Sequence, residues 1–133
     1  MATRAQRNYA KSFLKKAEEY LASAEDNLAA ERHTPAAGDA IHAGISSRGA
    51  IVTTLTGSTS KGKDHATAAK ELKQALGKRP EATTAEKALR ELLSSKGDVE
   101  YGVALVSAAK AESLVRRART LVELAVQIVR LGR

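Results

Sequence analysis

The feature that most constrains this chain is a strict seven-residue apolar repeat, Leu14, Ala17, Leu21, Ala24 and Leu28, matched near the other end by Ala111, Leu114, Ala118, Leu121, Ala125 and Ile128. Alternating steps of three and four follow the turn of an α-helix, so each set lines one seam of a long helix. No stretch alternates apolar and polar residues as a half-buried strand does. The chain has 26 Ala, no Trp and only 3% aromatic residues, so its core must be built from Leu, Ile, Val and Ala. Such a core suits helices that approach closely, and 133 residues is the length of one domain.

Breaks at Pro, Gly and Ser clusters divide the chain further. A first helix is expected over residues 4–32, with Phe13 and Tyr20 widening its seam. After Pro35 a second is expected over 36–56, where Ala37, Ile41, Gly44, Ile45, Ile51, Val52 and Leu55 cover most of the circumference. A helix apolar nearly all round belongs in the middle of a bundle. A polar turn over 57–63 leads to Asp64, the expected cap of a shorter helix with His65, Ala68, Ala69, Leu72 and Leu76 inside, and Gly77 stops it. Thr83 and Glu86 have the spacing of a capping box for a fourth helix running to about Ser95. A break is expected over 96–102 and a last helix over 103–131, in which Val115, Val122 and Val129 flank the seam and offer a second apolar stripe to another subunit. The expected fold is all-α, an antiparallel up-and-down bundle of four to five helices forming a single domain over 1–133.

The net charge of +7 is unevenly placed. Residues 1–16, 48–80 and 113–133 are basic, whereas 17–47 and 81–112 are acidic, the last by only −2. Basic patches concentrate polyanions, of which nucleic acid is the obvious one. The competing reading is that acidic neighbouring helices neutralise them. With no aromatic residues interleaved for base stacking, any binding should be to phosphates and steeply salt dependent. Arg116, Arg119 and Arg130 fall opposite the apolar seam of the last helix, with Arg117 beside them.

Absent cysteine removes disulfides, thiolate zinc sites and thiol nucleophiles. No apolar run approaches the roughly 20 residues that span a bilayer, and the start of the chain carries no apolar stretch of signal-peptide length, so a soluble cytoplasmic protein is expected. The stretch 57–64 resembles a phosphate-binding P-loop, but Asp64 stands where a Ser or Thr should ligate magnesium and a helix precedes it where a strand is needed. Lys61 and Lys63 remain candidates for holding an anion. Of the histidines, His33 sits at a helix end, His42 lies mid-helix near the buried side, and His65 opens the third helix. None is paired at three- or four-residue spacing, so no metal site and no cofactor are expected. Asp39 and Arg48, and Asp98, Glu100 and Tyr101, are candidates for polar contacts between helices. Ser46 and Ser47 lack the glycines of a nucleophile elbow.

Several segments, in order, resemble the HEPN domain family of small helical domains. Residues 17–28 are similar to its opening helix, and the run of small residues 36–50 to its long second helix. Gly62-Lys63-Asp64-His65 resembles its turn before a short helix, and 89–102 its acidic-tyrosine break before the last one. The resemblance implies an up-and-down bundle that usually dimerises. Active members carry an Arg followed four to six residues later by a His, forming a metal-independent ribonuclease site at the dimer interface. Here the positions that would need Arg hold Asp26, Asn27 and Leu28 for His33, Pro35, Ala36 and Ala37 for His42, and Ser58, Thr59 and Ser60 for His65.

The expectation that follows is a noncatalytic HEPN-like domain, a homodimer through its first or last helix, that binds RNA, a nucleotide or a protein partner through basic surfaces. The resemblance adds a nucleotidyltransferase-type partner and a toxin–antitoxin setting. The residues assigned to nucleic-acid or anion binding are Arg48, Lys61, Lys63, His65, Arg116, Arg117 and Arg119. One alternative is a divergent metal-independent ribonuclease pairing His65 or His42 with Arg48. Another is a purely structural interaction scaffold.

Overall fold

The structure is a computed structural model and describes residues 3–58 and 65–133. Among these residues there are six helices and no strand: α1 Arg4–Ala29, α2 His33–Thr56, α3 His65–Leu76, α4 Ala82–Ser94, α5 Lys96–Tyr101 and α6 Ala108–Ala125. A π-helical turn, Val126–Arg130, continues α6.

Capping chemistry sets where the helices begin and end. The Thr3 side chain accepts from the Gln6 amide while the Gln6 side chain accepts from the Thr3 amide, a reciprocal box that opens α1. The helix stops at Ala29, before the expected Arg32. Glu31 takes the left-handed conformation (φ 62°) usually given to glycine, its amide donates to the Leu28 carbonyl, and the Arg32 amide donates to that of Asn27. This Schellman closure carries no glycine and so leaves no signal in the sequence. Pro35 lies in the first turn of α2, where an amide has no helical acceptor to lose, so that helix begins at His33. Gly57, also left-handed (φ 72°), ends it.

α2 is the central helix, as its all-round apolar character predicts. It packs against each of the other helices, and half of its 24 residues are buried. At Gly44 a Cβ would lie 2.6 Å from Leu92 Cδ1, so the missing side chain is what lets α4 seat against α2. In α6 the whole expected seam is buried. Val115 and Val122 of the second stripe are buried within the chain too, whereas Val129 is only partly buried.

Three further boundaries depart from expectation. The expected capping box at Thr83 and Glu86 does not form, because α4 starts at Ala82 and Glu86 is engaged across the helix pair instead. The expected break at 96–102 is mostly helix α5, held by the Lys96–Glu100 pair one turn apart (3.1 Å), with Glu100 lying 3.2 Å from His42. The last helix starts at Ala108, where Ser107 accepts from the Lys110 amide, and not at Val103. Residues 102–107 are therefore not helical, and Val103 and Leu105 stand in solvent.

α4 lies between α3 and α6, with Leu72, Leu89, Leu92 and Leu121 fully buried beneath it. Its outer side is left as a ridge with one groove toward α3 and one toward α6. No helix among the described residues is long and apolar enough to cross a membrane.

Candidate nucleic-acid interface

The basic residues singled out in the sequence do not share one surface. Arg48, on α2, is nearly buried and points to α3, where its guanidinium reaches the Glu71 carboxylate at 2.5 Å and the Ala68 carbonyl at 3.4 Å. It fastens α2 to α3 one turn along from His65, the residue that opens α3. Lys61 and Lys63 lie outside the described residues, as does Asp64, the expected cap.

The three arginines of α6 diverge. Arg119 turns toward α1 and makes two hydrogen bonds to Glu25 Oε2, at 2.8 and 3.2 Å. Arg130, one helix end further on, pairs with Glu18 of α1 through bonds of 2.6 and 3.0 Å. Arg117 turns the other way and donates through Nε to Glu91 of α4. Arg116 stands between them, exposed and with no carboxylate partner among the described residues. Pairing with an acidic neighbour helix is therefore the fate of Arg119 and Arg130, while Arg116 and Arg117 open onto the α4 side.

There they meet cations that the sequence reading passed over. A groove of about 210 Å³ between α4 and α6 is lined by Lys87, Glu91, Arg116 and Arg117. On the other side of α4, an open cleft of about 580 Å³ is lined by Lys70 and Lys73 of α3 and by Glu86 and Arg90 of α4. Six cationic side chains thus share this face with two carboxylates. Helical spacing explains the placement: Lys70 and Lys73 are one turn apart on α3, and Glu86 and Arg90 one turn apart on α4, so each pair lines the cleft together. Glu86 holds Arg90 at 3.3 Å and Lys73 at 3.8 Å, orienting both ammonium and guanidinium without cancelling them. Lys70 and Lys87 have no carboxylate partner among the described residues and are exposed. Further along the α4–α6 groove the lining turns acidic at Glu81 and Glu123, which bounds the basic face.

These cations were hidden by averaging. Lys87 and Arg90 fall in the stretch 81–112, whose net charge of −2 adds Glu81, Asp98, Glu100 and Glu112, which line neither groove, to Glu86 and Glu91, which do. The only available signal was their helical phase, which places both on the polar side of α4.

The histidines are not arranged for acid–base chemistry with Arg48. His42 stacks on Tyr20 of α1, with ring centroids 5.1 Å apart and an interplanar angle of 28°, and faces Glu100 of α5. Arg48, six residues on, leaves α2 toward α3, so the two do not meet within the chain. Asp39 accepts from Ser23 (2.6 Å) and Asn27 (3.0 Å), a polar tie between α1 and α2. Tyr101 and Asp98 are exposed. Among the described residues no three His, Asp or Glu side chains converge as metal ligands.

Residues 10–129 match the family model described as HEPN domain. No curated protein and no solved structure gives a match.

Proposed function

This chain belongs to the HEPN domain family, and on that premise we propose that it is a noncatalytic member that holds RNA by its phosphates on the face formed by α3, α4 and α6. The observation that carries this reading is the excess of six cations over two carboxylates around α4, with Lys70, Lys87 and Arg116 free of carboxylate partners among the described residues. Phosphate oxygens are the natural acceptors for such a set, and Arg116 and Arg117 supply the planar donors that suit them. Neither groove is lined by an aromatic ring, so contact is to the backbone and indifferent to base identity. No His in the chain is preceded by an Arg at the family's four- to six-residue spacing, which removes its ribonuclease pair.

Fluorescence anisotropy with a labelled 12-nucleotide oligouridine tests the reading. Binding should weaken with salt at a logarithmic slope of about −0.7 per phosphate contacted, and removing the six cations together should flatten that slope. Unchanged binding by that variant would assign the RNA to another surface. Intact RNA after long incubation is expected with and without EDTA. Cleavage that persists in EDTA and is lost in His65→Ala would replace this reading with the ribonuclease alternative.

A second reading has its own observation. Tyr101, Val103 and Leu105 stand 80–101% exposed in one short segment between α5 and α6. Contiguous apolar exposure of this kind suits a protein partner, either the nucleotidyltransferase-type partner or a second copy of this chain. Light scattering across a concentration series, comparing the native chain with V103S/L105S, separates the second copy from the other partner.

A further inference from the structure

We infer that α4 is a ridge separating two phosphate grooves, so that the ligand of this face is a nucleic-acid strand laid across α4 into both grooves at once, and not a free nucleotide. The inference rests on the RNA-binding reading above and specifies its substrate class. Three observations lead to it.

First, the two grooves are separate and each is complete in charge. The α3 side holds Lys70, Lys73 and Arg90 around Glu86, and the α6 side holds Lys87, Arg116 and Arg117 around Glu91. Glu86 pairs with Lys73 and Arg90, Glu91 with Arg117 alone, and each groove keeps an excess of two positive charges. Second, the sizes differ. The α3-side cleft, about 580 Å³, is large enough to admit a nucleotide, whereas the α6-side groove, about 210 Å³, falls below the range of small-molecule pockets and suits a phosphate alone. Packed helices lie about 8–10 Å apart, which puts the grooves either side of α4 at about that separation. One phosphate cannot occupy both. Third, the path is restricted. Continuing along the α4–α6 groove brings an anion to Glu81 and Glu123, and Glu81 Oε1 is buried with no hydrogen-bond partner. A polyanion is repelled there, which closes that end of the groove and favours a path over the ridge at Lys87 and Arg90.

A strand bridging two sites gains effective concentration at the second once held at the first, which a mononucleotide cannot do. Uridine monophosphate and oligouridines of 4, 8 and 12 nucleotides, measured by competition against the labelled 12-mer, read this directly. The variants are K70A/K73A on one side and K87A/R116A on the other, all four positions being exposed. Each double variant should weaken the 12-mer by about tenfold and lower the salt slope by about 1, and the two combined by about a hundredfold. Uridine monophosphate should bind at least about a hundredfold more weakly than the 12-mer, and K87A/R116A should leave it unchanged. If the monophosphate binds as tightly as the 12-mer, or if only one double variant affects the 12-mer, the two-groove inference is overturned while RNA binding stands. If the native chain binds no oligouridine even at 50 mM salt, RNA binding itself is overturned and the inference falls with it.

Discussion

The α1–α6 seam and the α3–α4–α6 face are built from the same residue types and behave oppositely. Along the seam, Arg119 meets Glu25 and Arg130 meets Glu18, each guanidinium closed by two hydrogen bonds to one carboxylate. Across α4, six cations share two carboxylates. Arg116 and Arg119 are three residues apart on one helix, yet one is neutralised and the other is not. The difference lies in the neighbour: α1 contributes acidic residues to α6, and α4 contributes Lys87 along with Glu91. Local charge on a helix is a poor guide to potential until the facing helix is known.

The comparison breaks most sharply under charge reversal. K87E/R116E should cost RNA affinity about a hundredfold at roughly 100 mM salt, since it both removes phosphate contacts and sets anions in the smaller groove. R119E should change RNA affinity by no more than about twofold, and destabilise the fold by less than about 1 kcal/mol through repulsion with Glu25. Equal loss of RNA binding in both variants, read by anisotropy, would show that the α1–α6 side is also part of the interface. A smaller effect comes from releasing cations instead of removing them. E86Q/E91Q keeps hydrogen-bonding capacity and raises the charge of the face by two, so oligouridine should bind about three- to tenfold more tightly at low salt, with the gain fading as salt rises. E25Q on the seam should produce no such gain.

How much of this was legible beforehand varies by feature. The two seven-residue seams and the central place of α2 follow from apolar spacing alone, because burial of Leu14, Ala24, Leu114 and Leu121 depends on helical phase, which sequence specifies. The stop at Gly77 is similarly local (φ 60°). The failures share a cause. Glu86 looked like a capping-box residue, and Lys96 looked like the start of a break, because each was judged by its near neighbours. Glu86 pairs with Arg90 and reaches Lys73, thirteen residues away on α3, while Glu100 pairs with Lys96 and lies against His42 of α2. The same blindness to partners made Arg116, Arg117 and Arg119 look like one basic block and submerged Lys87 and Arg90 in an acidic one. Tertiary pairing decides which charges remain available, and that information is not periodic.

The seam's ion pairs allow the finest test, through pH. The hydrogen bond from Arg130 holds the Glu18 carboxyl below its ordinary range, against a smaller opposing push from partial burial and with further help from the charges of Arg130 and Lys15. A carboxyl whose folded value is lowered stabilises the fold above the unfolded value, and that contribution disappears as pH falls through the folded one. Glu18 is only partly buried and its partner is exposed, so solvent screening keeps the effect small. Thermal unfolding of the native chain and E18Q should therefore show a modest advantage for the native chain near neutral pH that narrows as the carboxyl titrates in acid. The RNA affinity of E18Q should equal that of the native chain throughout, because this pair sits on α1 and not on the face around α4. A melting difference that stays constant from neutral pH to pH 3 would mean that the Arg130–Glu18 charge contributes nothing to holding the end of the last helix on α1, leaving the Arg119–Glu25 pair and apolar burial to do so.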